Sequence, residues 1–162
     1  MAVPDKQEFR QVVGLLPTGV TVVSSFSASG PAGATASAVC SLSLDPMMML
    51  VCLDLGSRTL AAVKLAGRFG INVLGLDQRE AAEVFASKAG QDEKWQSVRW
   101  RRHLDVAVIE GCPAHIVCDL QEVIGGGDHV ILTGNVLEVE AQPGEPLVYH
   151  GGLFRALDPD EQ

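Results

Sequence analysis

A chain of 162 residues can bury a core of its own without disulfide or metal staples, and its length predicts one domain spanning 1–162 with 1–4 and 158–162 frayed. Hydrophobic residues make up 47% and the mean hydropathy is +0.21, yet no apolar run approaches the roughly 20 residues of a membrane helix, so a soluble protein with no membrane association is expected. A net charge of −8 and a sequence pI near 4.8 exclude a nucleic-acid binder, which relies on a surplus of Lys and Arg.

The opening stretch "MAVPDKQEFRQ" lacks the basic-then-apolar pattern of a secretory signal, which predicts a cytoplasmic protein with reduced thiols. The first element is a helix, with Asp5 as N-cap, Glu8 completing a capping box, and Phe9, Val12, Val13 and Leu16 at helical spacing. Pro17 and Gly19 are expected to stop it. The period then changes. "GVTVVSSFS", "TASAVCSLSL", "MMMLVCLDL", "GINVL", "AHIVCDLQEVI", "VILTGNVLEVEA" and "LVYHGGLF" are β-rich or apolar runs set off by Gly, Pro and Asp, about seven strands in the manner of a barrel or sandwich. Two helices interrupt them. "SRTLAAVKLAG" has Ser57 as N-cap and Gly67 or Gly70 as stop; "DQREAAEVFASKAG" has Asp77 as N-cap and Gly90 just past its end.

Cys112, His115 and Cys118 invite a zinc assignment. On a strand, however, Cys112 and Cys118 share one face roughly 20 Å apart at about 3.3 Å per residue, and His115 points the other way. There is no C-x-x-C, so no metal is predicted, and Cys40, Cys52, Cys112 and Cys118 are expected to be small buried hydrophobes. His103, after "RWRR", is expected to be solvated.

The stretch "GGGDH" at 125–129 could cradle a phosphate, its Asp128 and His129 could hold a metal or move a proton, or it could be only a turn. It opens no helix and precedes no G-K-[ST], so it is not a nucleotide loop. Adjacent strand residues face opposite ways, which argues against Asp128 orienting His129, and no G-x-S-x-G elbow is present. A hairpin turn remains, its glycines at positive φ and Asp128 bonding the turn backbone.

Ser57, Arg58 and Thr59 lie where an apolar strand runs into a helix start. Free N–H groups and a guanidinium there could hold a phosphate; the plainer reading is an N-cap with a surface arginine. Thr35, Ala36, Ser37, Ala38 and Ser41 are small side chains on an apparent strand. They would let a flat ring lie against the backbone, or simply pack tightly against another sheet.

In order and spacing, "LPTGVTVVS", "TASAVCSLSLDP", "LVCLDLGSRTLAAV", "FGINVL", "VFASK", "GGGDHVILTGNV" and "YHGGLF" resemble the flavin reductase family, reductase components of two-component flavin-dependent monooxygenases. The resemblance covers most of the chain. It implies a mainly β fold, an FMN-binding split β-barrel with a few short flanking helices. It also implies hydride transfer from NADH or NADPH to FMN or FAD, a homodimer with flavin at its seam, and a separate monooxygenase partner. By the same resemblance Thr35, Ala36, Ser37, Ala38, Val39, Cys40 and Ser41 hold the flavin ring, and Ser57, Arg58 and Thr59 sit at its phosphate. Asn72, Tyr149 and Phe154 also contact cofactor, and His129 is the catalytic-site histidine near the nicotinamide, with Asp128 fixing the turn. A flavin-binding or electron-carrier protein of the same fold that does not turn over NAD(P)H is the alternative. Pro46-Met47, Ile124 before the glycines, and Asn135 depart from the family's pattern, around the ring and turn rather than the phosphate.

Overall fold

The computed structural model describes residues 3–157; the rest of the termini expected to fray lies outside the described residues. Helix α1 (Lys6–Val13) starts on the expected capping box: Asp5 Oδ1 accepts the N–H groups of Gln7 and Glu8, and Glu8 Oε2 accepts that of Asp5. It ends at Gly14, short of Pro17, and Leu16 lies beyond it. None of its residues is buried.

The chain then forms β1 (Thr18–Gly19), β2 (Thr21–Ser27), β3 (Gly30–Ala36), β4 (Val39–Leu44) and β5 (Met47–Asp54). Next come α2 (Arg58–Ala66) and β6 (Arg68–Val73), then a 3₁₀ turn at Leu76–Gln78, α3 (Arg79–Ala86) and α4 (Gln91–Gln96). The remaining strands are β7 (Trp100–His103), β8 (Val106–Ile109), β9 (Ala114–Gly126), β10 (His129–Ala141), β11 (Val148–His150) and β12 (Leu153–Arg155). Seven strands make one antiparallel sheet in the order β3-β2-β6-β9-β10-β5-β4; β1-β11-β12 form a small second sheet and β7-β8 a separate hairpin.

"TASAVCSLSL", expected as one strand, is two. Thr35 and Ala36 end β3 at one edge of the large sheet, while Val39–Leu44 is β4 at the other. Ser37 and Ala38 carry the chain across, with Thr21 paired to Ala36 on one side and the Cys52 N–H bonded to Ala38 O (2.9 Å) on the other. Small side chains give no punctuation in the sequence, but they let the curled sheet close on itself at this crossover.

Helix α2 keeps its Ser57 cap and stops at Gly67, whose φ of 67° only glycine takes readily. The next helix differs from expectation. Asp77 falls inside the 3₁₀ turn, Gln78 occupies the N-cap of α3, and Ser87 ends it by donating its hydroxyl to Val84 O (2.7 Å). Gly90 caps a further helix, α4, in a stretch where no helix is expected. Trp95 of α4 and Phe85 of α3 pack edge to face (centroids 4.7 Å) over Gly33 of β3, where any Cβ would come within 2.7 Å of both rings.

The hairpin β7–β8 was also unexpected. Its turn residues Leu104 and Asp105 both have positive φ (44° and 59°), the geometry of a two-residue primed turn without its usual glycine. Asn72 of β6 ties this hairpin to the sheet. Its Nδ2 donates to Val22 O (3.1 Å) and Ala107 O (3.2 Å), and its Oδ1 accepts the Ile109 N–H (2.8 Å). Cys112 and Cys118 are buried as expected, and burial pushes both thiols up to about 12. Cys40 and Cys52 are not buried as expected: Cys40 is exposed on the edge strand β4, and Cys52, on the adjoining β5, is half-buried.

Candidate functional site

The glycine stretch is a hairpin. His129 pairs with Gly126 and Val130 with Gly125, leaving Gly127 and Asp128 as the loop. Among the three glycines only Gly127 has positive φ (74°); the other two are extended strand. The main partner of the Asp128 side chain is not the turn backbone. Its Oδ1 lies 2.7 Å from His129 Nδ1, so the two residues form a pair that strand geometry argued against. The alternation rule fails here because Asp128 belongs to the loop, where its side chain can swing onto the neighbouring ring. The hydrogen bond to His129, and then the charge of its ring, hold the Asp128 carboxyl below its ordinary range. With Nδ1 bonded to the carboxylate, Nε2 is left to meet a ligand.

This pair sits beside the start of α2. His129 is opposite Asp54 in the β10–β5 register, and the Leu55 N–H bonds Asp128 O (3.1 Å). From there the chain turns into the helix: the Gly56 N–H bonds Asp54 Oδ1 (2.6 Å), and Ser57 Oγ accepts from Thr59 N (3.2 Å) and Leu60 N (3.4 Å). Arg58 is exposed, its one hydrogen bond among the described residues running from Nη2 to Ala89 O (3.4 Å), and it borders a depression of about 460 Å³ with Ser27, Ser29 and Gln91. Lys94 brings a second cation near. It is buried, with Nζ donating to Phe85 O (2.8 Å), and burial, then the Arg58 charge, pull its pKa down. Thr59 is buried with its Oγ1 unpartnered.

The crossover carries two adjoining cavities. One of about 470 Å³ is lined by Thr35, Ser37, Ser87, Tyr149 and Phe154 among others. A second, of about 480 Å³, is lined by Phe9, Val13, Leu16, Thr18, Ser37, Ala38 and Tyr149. Tyr149 and Phe154 meet edge to face (5.4 Å) across β11–β12, whose turn has Gly151 and Gly152 at positive φ. The Thr35 hydroxyl is already committed to Ala82 O (2.7 Å), whereas Thr18 Oγ1, on the second cavity, is buried without a partner.

The structure thus gathers Thr35, Ser37, Ala38, Tyr149 and Phe154 in one place, and Ser57, Arg58, Thr59 and His129 around the start of α2. Ala36 and Val39 flank the crossover, mostly buried, while Cys40 and Ser41 face outward from β4. Asn72 lies apart from both groups. It is 1% exposed, and both ends of its amide are spent on the β7–β8 hairpin, leaving nothing for a cofactor. Thr18, Ser87 and Lys94 were missed; Thr18, a lone polar residue between Pro17 and Gly19, was the one with a visible signal.

A curled antiparallel sheet closed at a small-residue crossover, with an aromatic hairpin over it, is the architecture of flavin reductases. The NADH:FAD oxidoreductase of Streptomyces globisporus, solved with NAD and FAD fragments, superposes with a TM-score of 0.92 at 31% identity, over 100% of this chain and 99% of that one. The flavin reductase like domain family matches residues 13–158, and the chain belongs to that family. It is 40% identical over 150 residues to the reductase component of 4-nitrophenol 4-monooxygenase/4-nitrocatechol 2-monooxygenase of Rhodococcus opacus, covering 93% of this chain and 80% of that protein. The reductase subunit of a flavin-dependent monooxygenase of Mycobacterium tuberculosis is 34% identical over 161 residues, covering 97% and 85%.

Proposed function

We propose that this protein is an NAD(P)H-dependent flavin reductase that uses NADH or NADPH to reduce FMN or FAD and supplies the reduced flavin to a separate monooxygenase. The observation that carries this reading is the family match over 13–158, with relatives that are reductase components. In the cleft the nicotinamide supplies a hydride and the flavin accepts it, and the protein's part is alignment. Ser37, Ala38 and the backbone of 35–41 support the flat ring. Arg58, with Lys94 behind it, attracts the phosphate at the start of α2. His129, its ring fixed by Asp128, presents Nε2 to the carboxamide or pyrophosphate of the nicotinamide nucleotide.

The chain is read as one domain and as a cytoplasmic protein; no helix among the described residues is long and apolar enough to cross a membrane. We also propose a homodimer. Phe9 (61% exposed) and Val12 (67%) on α1, and Leu44 (88%) and Met47 (60%) at the β4 edge, are left uncovered by the single chain. Sedimentation showing a stable monomer at micromolar concentration would remove this assembly. The reductase reading is tested by mixing the protein anaerobically with NADH or NADPH and free flavin: the flavin absorbance bleaches, and no bleaching with either nucleotide overturns it.

A further inference from the structure

On the β7–β8 hairpin and the β9–β10 ribbon, apart from the residues assigned to flavin, three strands converge on a cluster of imidazoles and carboxylates. His103 ends β7, His115 lies on β9, and Glu138 and Glu140 lie on β10. Glu140 pairs directly with His115 in the register, and Glu138, two residues away, shares its face. His103 comes from the hairpin laid over the sheet, whose turn is held by Arg68 through Leu104 O (3.1 Å). His103 Nε2 lies 2.6 Å from Glu138 Oε1, and His115 Nε2 lies 3.9 Å from the same oxygen and 3.6 Å from Glu140 Oε2. The donor atoms of His103, His115 and Glu138 all fall within 4.8 Å of one another. Donors of a tetrahedral zinc shell, at about 2.0–2.1 Å from the ion, stand about 3.3 Å apart, so small side-chain adjustments bring these three into range.

His115 gives the second, independent sign. It is 6% exposed, and its Nε2 has no hydrogen-bond partner although it is directed at two carboxylates. A buried ring nitrogen left without a partner is an unmet demand, and a cation meets it. A cavity of about 270 Å³, lined by His115, Glu140, Arg101 and Gln142, adjoins the cluster and leaves room for water. Arg101 Nη2 donates to Glu140 Oε2 (3.1 Å), which keeps that carboxylate beside the cavity.

We propose that His103 Nε2, His115 Nε2 and Glu138 Oε1 bind one divalent transition-metal ion of the zinc class, with a water in the fourth position bonded to Glu140. Two imidazoles and one carboxylate suit zinc and disfavour magnesium and calcium, which take all-oxygen shells. The ion clasps the β7–β8 hairpin to the β9–β10 ribbon, so its effect is on stability. The test is to strip the full-length protein with chelator and titrate Zn²⁺ by calorimetry, following Tm in parallel. Wild type binds one more equivalent than His103→Asn and gains about 5–10 °C at a hundredfold excess over Kd. Glu138→Gln weakens that equivalent at least tenfold, and Mg²⁺ moves nothing. Co²⁺ in the same site gives a tetrahedral visible spectrum without thiolate charge-transfer bands, which separates it from binding at Cys40 or Cys52. His103 and Glu138 are partly exposed, so these variants fold even if a His115 variant does not. Equal zinc binding by wild type, His103→Asn and Glu138→Gln, no binding by wild type at millimolar zinc, or an equal response to Mg²⁺ overturns the site.

Discussion

Replacing Asn72 by alanine separates a structural role from a cofactor role. The Ile109 N–H depends on the Asn72 carbonyl: Glu110 N–H bonds Arg99 O (2.9 Å), which makes Ile109 a non-hydrogen-bonded position of the hairpin whose N–H points away from β7. Leaving that buried donor unpaired costs about 1–3 kcal/mol. Of the three Nδ2 bonds, those to Val22 O and Ala107 O add about 0.5–1.5 kcal/mol each, softened at Ala107 O because the Ser24 hydroxyl still bonds it (2.7 Å), and the 3.4 Å bond to Ser24 Oγ adds little. A loss of roughly 2–5 kcal/mol lowers Tm by about 5–15 °C in a chain of this size. The measurement is a thermal melt beside FMN affinity on protein still folded at low temperature. Affinity stays within about twofold of wild type, because the amide never reaches the crossover cavities. An unchanged Tm with tenfold weaker FMN binding would refute this account and return Asn72 to the flavin site.

Arg58→Ala is expected to weaken FMN binding by about 1–3 kcal/mol with no change in Tm, since among the described residues its guanidinium makes only one long hydrogen bond; unchanged titrations would place the phosphate elsewhere. His129→Ala is expected to lower kcat/KM for NADH roughly ten- to a hundredfold, about 1.4–2.7 kcal/mol, and Asp128→Ala to lower it less, because the ring remains but turns freely. Steady-state NADH oxidation decides this, and a His129→Ala enzyme that melts lower but turns over normally would leave His129 as a turn residue only. For the buried thiols, Cys112 and Cys118 stay neutral in the fold to about pH 12, whereas in the unfolded chain they ionise from about 9.0. Stability from this source is therefore complete below pH 9 and is lost as pH rises towards 12. Denaturant midpoints at pH 8 and 10.5 should fall further apart in wild type than in a Cys112→Ala/Cys118→Ala variant, and equal differences would contradict it.

What could be read from the sequence was what is decided locally. The α1 capping box, the Ser57 cap and the Gly67 stop each involve groups within a few residues of one another, so the chain states them outright. The division of residues 35–44 between two sheet edges could not be read, because Ser37 and Ala38 break the strand only where the sheet must close. The β7–β8 hairpin hid for a different reason. Arg101, Arg102 and His103 read as a solvated polar run, and the turn uses Leu104 and Asp105 where an Asn-Gly pair would have announced it.

The site divides along the same line. The crossover and the helix start are picked out through the resemblance, on the small side chains of 35–41 and on Arg58. The polar groups whose importance lies in having no partner are not. Thr18 Oγ1, Thr59 Oγ1 and His115 Nε2 are ordinary residues in the sequence and become informative only once burial removes water and the neighbours fail to replace it. His103 shows the converse. Expected to be solvated, it is half-withdrawn and bonded at 2.6 Å to Glu138, 35 residues away, because the unexpected β7–β8 hairpin carries it there. The Asp128–His129 pair was rejected by a rule that holds for strands, and it exists because the hairpin places Asp128 one residue outside the strand. In each case the chemistry of the residue was visible, and its partner, or lack of one, was set by how distant strands were brought together.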